Sequence, residues 1–130
     1  SNPTSACEAH PQDVARWTGG AALIATGSPF APVDVGGHPV PVGQGNNAFI
    51  FPGLGQGAIL SGAREVTDGM VLEAAYALAQ YTAERHPESV YPPVEELRAV
   101  AVWVAARVWE RAARDGVATT PPPTGDKEAF

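Results

Sequence analysis

Residues 19–27 read Gly-Gly-Ala-Ala-Leu-Ile-Ala-Thr-Gly, and this stretch decides the fold class. Its centre, Ala22 to Ala25, is wholly apolar, is shorter than an ordinary helix and lies between glycines. A short apolar run without polar alternation is typical of a strand that is buried on both faces, as in a parallel sheet. We therefore predict an α/β fold with one or two core strands.

The segments that flank this strand predict a helix and a small hairpin. Pro11 lacks an N–H group and suits a first helical position, so a helix should occupy residues 11–18 and stop at the glycines that follow. Residues 33–35 and 38–40 have the character of strands, and the glycine pair between them favours a two-residue turn. We expect a hairpin there.

The second half of the chain predicts mainly helices. Residues 46–63 alternate small and apolar types without charge, which predicts a short and a longer helix, divided at Pro52 and buried on all sides. Thr67 should cap a helix that ends near Glu84. The apolar stripe of that helix would consist of Val71, Leu72, Ala75, Leu78 and Ala79. Residues 94–115 predict a last helix of about 33 Å.

Length and composition predict one domain followed by a tail. The 130 residues, with 45% hydrophobic content, suffice for a single core, which we assign to residues 1–116. Residues 117–130 contain three consecutive prolines and little apolar content, so we predict an extended or disordered tail.

Charge and cysteine content exclude several classes of protein. A net charge of −6 offers no positive surface to nucleic acid or to an anionic membrane. The longest uncharged apolar stretch, residues 99–106, is far shorter than the roughly 20 residues that a bilayer requires. Cys7 is the only cysteine, which excludes an internal disulfide and favours a cytoplasmic protein.

A glycine motif in residues 53–58 has the form of a dinucleotide-binding fingerprint. Gly53, Gly55 and Ala58 match G-x-G-x-x-A, and an acid, Glu73, follows at the expected distance. The fingerprint needs a strand directly before its first glycine, but Pro52 stands there. We therefore interpret the small residues as positions at which two helices pack closely.

The histidines and arginines give only weak indications of a metal, phosphate or partner site. Each histidine lies next to a proline, and none has the spacing of two metal ligands on one helix face; these are His10, His38 and His86. A basic stripe on the last helix favours a solvated face and leaves a phosphate or partner contact as the alternative; it consists of Arg107, Arg111 and Arg114.

Residues 43–47, Gly-Gln-Gly-Asn-Asn, are a stronger candidate site. The two glycines let the backbone turn sharply or approach a ligand, and the two amides supply donors and acceptors at the start of an uncharged helix. On these residues alone, a purely structural role as loop and cap stays open. The same holds for Asn2, which could form an Asx turn.

Eight short segments of the sequence together resemble the pattern of a known protein family. They are Ser1-Asn-Pro-Thr4, Glu8, Arg16-Trp-Thr18, Ala25-Thr-Gly-Ser-Pro-Phe30, Gly43-Gln-Gly-Asn-Asn47, Phe49-Ile-Phe-Pro-Gly53, Ser61-Gly-Ala-Arg64 and Tyr91-Pro-Pro93. In this order and spacing they resemble the C-terminal, NAD-binding part of malic enzymes, which oxidatively decarboxylate malate to pyruvate. Val42, Ala9 and His10 depart from the residues that are usual in that family.

The resemblance implies both a fold and a site. The fold would be the C-terminal portion of a Rossmann-like NAD-binding domain, mostly helical here, with one or two core strands and a small hairpin. Asn2, Asn46 and Asn47 would bind the substrate, malate or pyruvate, and Asn2 and Asn46 would also bind NAD or NADP. Neutral amides can orient a carboxylate or a carboxamide without adding a charge.

The resemblance also implies that much of the active site lies elsewhere. The family's catalytic tyrosine and lysine, its carboxylate ligands for Mg²⁺ or Mn²⁺ and its glycine-rich dinucleotide loop precede the Ser1-Asn-Pro-Thr4 loop. This chain would then be an inactive fragment that needs the N-terminal part of the same protein, itself a homo-oligomer. The alternatives are a malolactic enzyme, which converts malate to lactate, and a non-catalytic helical interaction module.

Overall fold

A computed structural model describes residues 3–123, which form two compact units. The first unit comprises the residues up to 46 together with 82–94, and the second comprises residues 47–81 together with those from 95 onward. The sequence predicts one core over residues 1–116, whereas each unit has buried apolar residues of its own. Composition counts apolar residues but does not show how the chain divides them.

The first unit contains a helix and four short strands. After a 3₁₀ turn at Thr4–Ala6 come α1 (Pro11–Trp17), β1 (Ile24–Thr26), β2 (Val33–Val35), β3 (His38–Val40) and β4 (Val42–Gln44). As predicted, α1 begins at its proline and ends before two glycines, whose φ angles are 59° and 82°. The buried core of the first unit contains Ala15, Ile24 and Val33.

The predicted hairpin is confirmed. Strands β2 and β3 pair antiparallel, with Val33 opposite Val40. The turn residues Gly36 and Gly37 have φ angles of 63° and 87°, which glycine adopts without steric cost. The Gly37 N–H donates a hydrogen bond of 3.0 Å to Oδ1 of Asp34, which fixes the turn.

Strand β1 pairs in parallel with β4, a strand that the sequence analysis missed. Ile24 lies opposite Val42, and Thr26 opposite Gln44. The parallel arrangement agrees with the prediction for the first strand. The sequence of β4 contains a glycine and a glutamine in three residues, so neither apolar content nor alternation marks it as a strand.

The prediction that β1 is buried on both faces is wrong. Ile24 is buried, but Leu23 before it is 60% exposed, and Ala25 after it is exposed as well. Successive side chains of a strand point to opposite faces. Helix α1 packs on the face that carries Ile24, which leaves the side chain of Ala25 in solvent.

The second unit is helical. It contains a 3₁₀ turn at Asn47–Phe49, α2 (Phe51–Leu60), most of α3 (Asp68–Arg85), most of a 3₁₀ turn at Val94–Glu96, and α4 (Leu97–Arg114). Pro52 lies in the first turn of α2, and Thr67 Oγ1 accepts a hydrogen bond of 3.1 Å from the Met70 N–H, so both predicted helix starts are confirmed. Gly116, with φ of 72°, follows α4 as predicted.

Helices α2 and α4 pack closely through two glycines. A methyl group at Gly53 would lie 2.6 Å from the Val104 Cβ, and one at Gly57 would lie 2.7 Å from the Val108 Cβ. At Gly55, a methyl group would have no other atom within 4 Å. Gly53 and Gly57 therefore serve helix packing, as predicted for these small residues, whereas Gly55 of the G-x-G-x-x-A pattern takes no part in it.

The predicted buried faces of α2 and α3 are wrong in part. Ile59 of α2 is 79% exposed, although the sequence predicts burial on all sides. On α3, Val71 and Leu72 are 47% and 50% exposed. The buried residues of α3 are instead Met70, Ala74, Ala77, Leu78, Tyr81 and Thr82. In an alanine-rich helix two adjacent stripes fit the helical period equally well. Of the predicted stripe, Leu78 is buried, whereas Ala75 and Ala79 are exposed.

None of the helices within residues 3–123 combines the length and apolar character needed to cross a membrane.

The first residues of the predicted tail are packed in the structure. Val117 is buried, and the N–H groups of Thr119 and Thr120 each donate to the Ser61 carbonyl at 2.9 Å. The indole N–H of Trp109 donates to the Thr120 carbonyl at 3.0 Å. Residues 124–130 lie outside the described part of the chain, so the prediction of disorder there stays a prediction.

Candidate functional site

The carboxyl ends of β1 and β4 lie side by side at one edge of the parallel pair. Gly27 follows β1, and Gly45 follows β4. The Gly45 N–H donates a hydrogen bond of 2.8 Å to the Thr26 carbonyl, which extends the pairing past the last strand residue. In open α/β sheets ligands bind beyond the carboxyl ends of parallel strands, so this edge is where a ligand is expected.

An open groove of about 460 Å³ lies at this edge. It is bounded by the turn before α1, by the strand ends and by an aromatic ring. The residues around it include Cys7, Glu8, Thr26, Gly27, Gly45 and Tyr91. Because two of them are glycines, a ligand could approach the backbone closely. The groove belongs entirely to the first unit.

The two candidate amides follow β4 after one intervening residue, Gly45. Asn46 comes one residue after Gly45, and both Asn46 and Asn47 are exposed. Asn47 begins a 3₁₀ turn, and its carbonyl accepts a hydrogen bond of 3.0 Å from the Ile50 N–H. The sequence predicts that the amides start a helix, and the structure gives them a separate short turn before α2. Asn2, the third candidate, lies outside the described residues.

A metal site is not formed by the part of the chain that the structure describes. Within residues 3–123 no three histidine, cysteine or acidic side chains are grouped so that they could hold an ion. The ring of His10 packs edge-on against Phe30, with 5.2 Å between the ring centroids. His10 directly precedes α1, as predicted for a cap residue, whereas His38 is the first residue of β3, so the prediction that it lies in a turn is wrong.

The arginine stripe of α4 makes contacts within the second unit. Nη2 of Arg114 lies 2.8 Å from Oε2 of Glu73 on α3, and Nε of Arg111 lies 2.7 Å from Oδ1 of Asp115. The guanidinium carbon of Arg107 lies 4.5 Å from the centre of the Trp103 ring. Arg114 stays exposed while it pairs with Glu73, as a solvated face predicts, whereas Arg111 is half-buried where it pairs with Asp115.

The charges of this cluster shift the pKa of two groups. A hydrogen bond from the Thr67 hydroxyl, together with one from Arg111, lowers the pKa of Asp115 below the usual value for aspartate. The hydrogen bond to Asp115 raises the pKa of Arg111 further. Both shifts favour the charged forms, so Asp115 and Arg111 are ionised at neutral pH.

Sequence reasoning missed two residues of the groove. Gly27 and Tyr91 both lie within stretches that match the family series, but their residue types gave no role. Tyr91 is far from β4 in sequence, and only the chain reversal after α3 brings it to the strand end. A glycine that contacts an aromatic ring from a distant part of the sequence has no local sequence pattern that would reveal the contact.

Comparison with known proteins gives one family. The family model described as the malic enzyme NAD binding domain matches residues 1–113. The NAD-dependent malic enzyme of Edwardsiella ictaluri (strain 93-146) is 48% identical over 120 residues, which are 91% of this chain and 21% of that protein. The NAD-dependent malic enzyme of Sodalis glossinidius (strain morsitans) is 47% identical over the same lengths.

A third relative agrees with these two. The NAD-dependent malic enzyme of Pseudomonas aeruginosa (strain UCBPP-PA14) is 47% identical over 120 residues, again 91% of this chain. The chain thus spans 21% of the length of these curated relatives. Because the family match extends over the strand ends, the amides and most of α4, this chain belongs to the family of malic enzyme NAD-binding domains.

Proposed function

We propose that this chain is part of an NAD-dependent malic enzyme and forms one wall of its malate and nicotinamide site. The reaction is malate plus NAD⁺ giving pyruvate, CO₂ and NADH. The hydride leaves C2 of malate for the nicotinamide, and the C4 carboxylate departs as CO₂. The relatives that carry this name support NAD as the cofactor, rather than NADP.

One observation carries the proposal: Gly45 borders the groove at the carboxyl end of a parallel strand, and two exposed amides, Asn46 and Asn47, follow it in the sequence. Each amide can donate to a carboxylate oxygen and accept from an N–H group. Asn46 and Asn47 would orient a malate carboxylate, and Asn46 would also hold the carboxamide of the nicotinamide. Asn2 would join them from its own loop.

The parallel strands β1 and β4 favour a more specific fold. We propose that β1 and β4 belong to a Rossmann-like sheet whose remaining strands come from the rest of the protein. Parallel pairing and a groove at the carboxyl ends support this assignment. Association between copies of the protein stays a prediction of the family resemblance.

The divalent metal would be held by residues elsewhere in the protein. The described residues do not form a cluster of three ligands, so they do not fit Mg²⁺ or Mn²⁺ by themselves. When bound, such an ion would polarise the keto oxygen and stabilise charge during decarboxylation. The role of this chain is to bind and orient the organic substrate and the cofactor.

The test is product analysis on the full-length protein. We expect malate-dependent formation of NADH, with one pyruvate per NADH, in the presence of Mn²⁺. The 130-residue chain alone should give no turnover above a heat-treated control, because residues 3–123 do not form a metal site. Lactate as the product would indicate the malolactic alternative, and the absence of malate-dependent NADH would contradict the proposal.

A further inference from the structure

The ring of Tyr91 covers the backbone at the end of β4. A methyl group at Gly45 would lie 3.3 Å from Cε2 of Tyr91 and 3.6 Å from its Cζ and Oη. The ring therefore lies against a bare Cα, so closely that a side chain at position 45 would require the ring to shift. Gly45 is the residue immediately before Asn46. This contact lies within the first unit.

The segment that carries Tyr91 also packs on the preceding part of β4. A methyl group at Gly43 would lie 3.3 Å from Oγ of Ser89 and 3.3 Å from the Tyr91 backbone nitrogen. Residues 43 and 45 are two apart, so they face the same side of the strand. Residues 89–91 thus cover one face of β4 from its middle to its end.

Hydrogen bonds hold this segment in shape. The Ser89 hydroxyl donates a hydrogen bond of 2.7 Å to the Tyr91 carbonyl, and the Ser89 N–H donates one of 2.9 Å to the His86 carbonyl. On the other edge of the strand end, the Gly45 N–H is bonded to Thr26. Gly45 is therefore fixed by β1 at its edge and by the Tyr91 ring on its face.

We propose that Tyr91 is a positioning residue that sets the orientation of the Asn46 amide through the Gly45 backbone. This inference rests on the proposed function, since it assigns Asn46 to the malate and nicotinamide site. Tyr91 is half-buried and borders the same groove as Gly27 and Gly45. Removing the ring frees the strand end to move, and an amide displaced by about 1 Å loses much of its effect on a bound substrate.

The activity test is a double-mutant cycle in the full-length protein. Tyr91→Ala should lower kcat/KM for malate about tenfold, while Tyr91→Phe, which keeps the ring, should stay within about twofold of wild type. Gly45→Ala should also lower it, because the new methyl group pushes against the ring. In the Tyr91→Ala variant the new methyl group has room. Adding Gly45→Ala to that variant should therefore lower kcat/KM by less than a further twofold. If the double variant loses kcat/KM by the product of the two single losses, the two residues act independently and the proposal is overturned.

The control is Tyr76→Ala, which removes an exposed tyrosine of α3 in the second unit. We expect it to leave kcat/KM unchanged. If it matches Tyr91→Ala, the loss reflects general destabilisation and the proposal fails. Gly45→Ala keeps the Tyr91 ring, so the contact stays testable even if Tyr91→Ala does not fold.

Amide hydrogen exchange supplies a readout that does not need activity. In the whole protein, Tyr91→Ala should speed exchange at Gly45 and Asn46 about tenfold and leave the α4 amides unchanged. Unchanged exchange at Gly45 would overturn the positioning role. If exchange changes as expected but wild type forms no NADH from malate, the proposed function fails while the structural role of Tyr91 stands.

Discussion

Replacing Asn47 by alanine in the full-length protein should lower kcat/KM for malate tenfold to a hundredfold. The side chain is exposed beyond the carboxyl end of β4, and alanine removes a hydrogen bond to a charged substrate group. Such a bond contributes about 1.5–3 kcal/mol, which corresponds to this range of rates. We expect Asn46→Ala and Asn2→Ala to behave alike. Steady-state kinetics with varied malate and varied NAD measures the effect.

Two further variants sharpen this test. Asn47→Asp keeps the size but places a negative charge near a dicarboxylate, so its loss should exceed that of Asn47→Ala. Gln56→Ala removes an exposed amide from α2 in the second unit and should leave the kinetics unchanged. If Asn46→Ala and Asn47→Ala both keep wild-type kcat/KM, these residues only shape the loop.

Adding a single methyl group at Gly57 should destabilise the protein by about 1–3 kcal/mol. The methyl group would lie 2.7 Å from the Val108 Cβ and 2.8 Å from the Ala105 carbonyl oxygen. Neither atom can rotate away, because the Ala105 oxygen belongs to the backbone and the Val108 Cβ is bonded directly to the backbone. Helices α2 and α4 must therefore separate. Gly53→Ala should act in the same way, since it meets Val104 and the Ala101 carbonyl.

Gly55→Ala is the matched control in the same helix. It meets no neighbouring atom, and alanine is more favourable than glycine inside a helix by about 0.5–1 kcal/mol. We expect it to stabilise α2 slightly. Urea unfolding followed by far-ultraviolet circular dichroism compares the three variants. A loss of stability at Gly55 equal to that at Gly57 would show that the close approach of the helices is not the cause.

Local signals in the sequence predicted most elements. Pro11, Thr67 and Gly116 mark helix ends because a missing N–H, a capping hydroxyl and a positive φ act on neighbouring residues. The hairpin followed from Gly36-Gly37 for the same reason. Strand β4 had no such signal, because its partner β1 is distant in sequence.

Predictions of which face is buried were less successful. Val71 and Leu72 look like core residues by type, yet Ala74 and Ala77 are buried instead. The buried face also carries Met70, Leu78 and Tyr81, so residue type does not decide which of two adjacent stripes faces the core. The pairing of Arg114 with Glu73 likewise depends on how α3 lies against α4.

The candidate site was found in part. The glycines and amides of residues 43–47 stand out in the sequence because of their unusual composition. Their roles came from the family resemblance, because an exposed amide has the same appearance in a loop and in a binding site. The groove itself needs Tyr91 and Gly27, which only the fold brings to Gly45.

The most direct test of the central claim is hydrogen exchange of the full-length protein with and without bound ligands. NADH, malate and Mn²⁺ together should occupy the site without turnover, because NADH cannot accept a hydride, and NADH fluorescence verifies binding. We predict slower exchange in residues 25–28 and 44–47, at the carboxyl ends of β1 and β4, and no change in the centre of α4. Unaltered exchange in both segments while the ligands are bound would contradict the assignment of this edge as the malate and nicotinamide site.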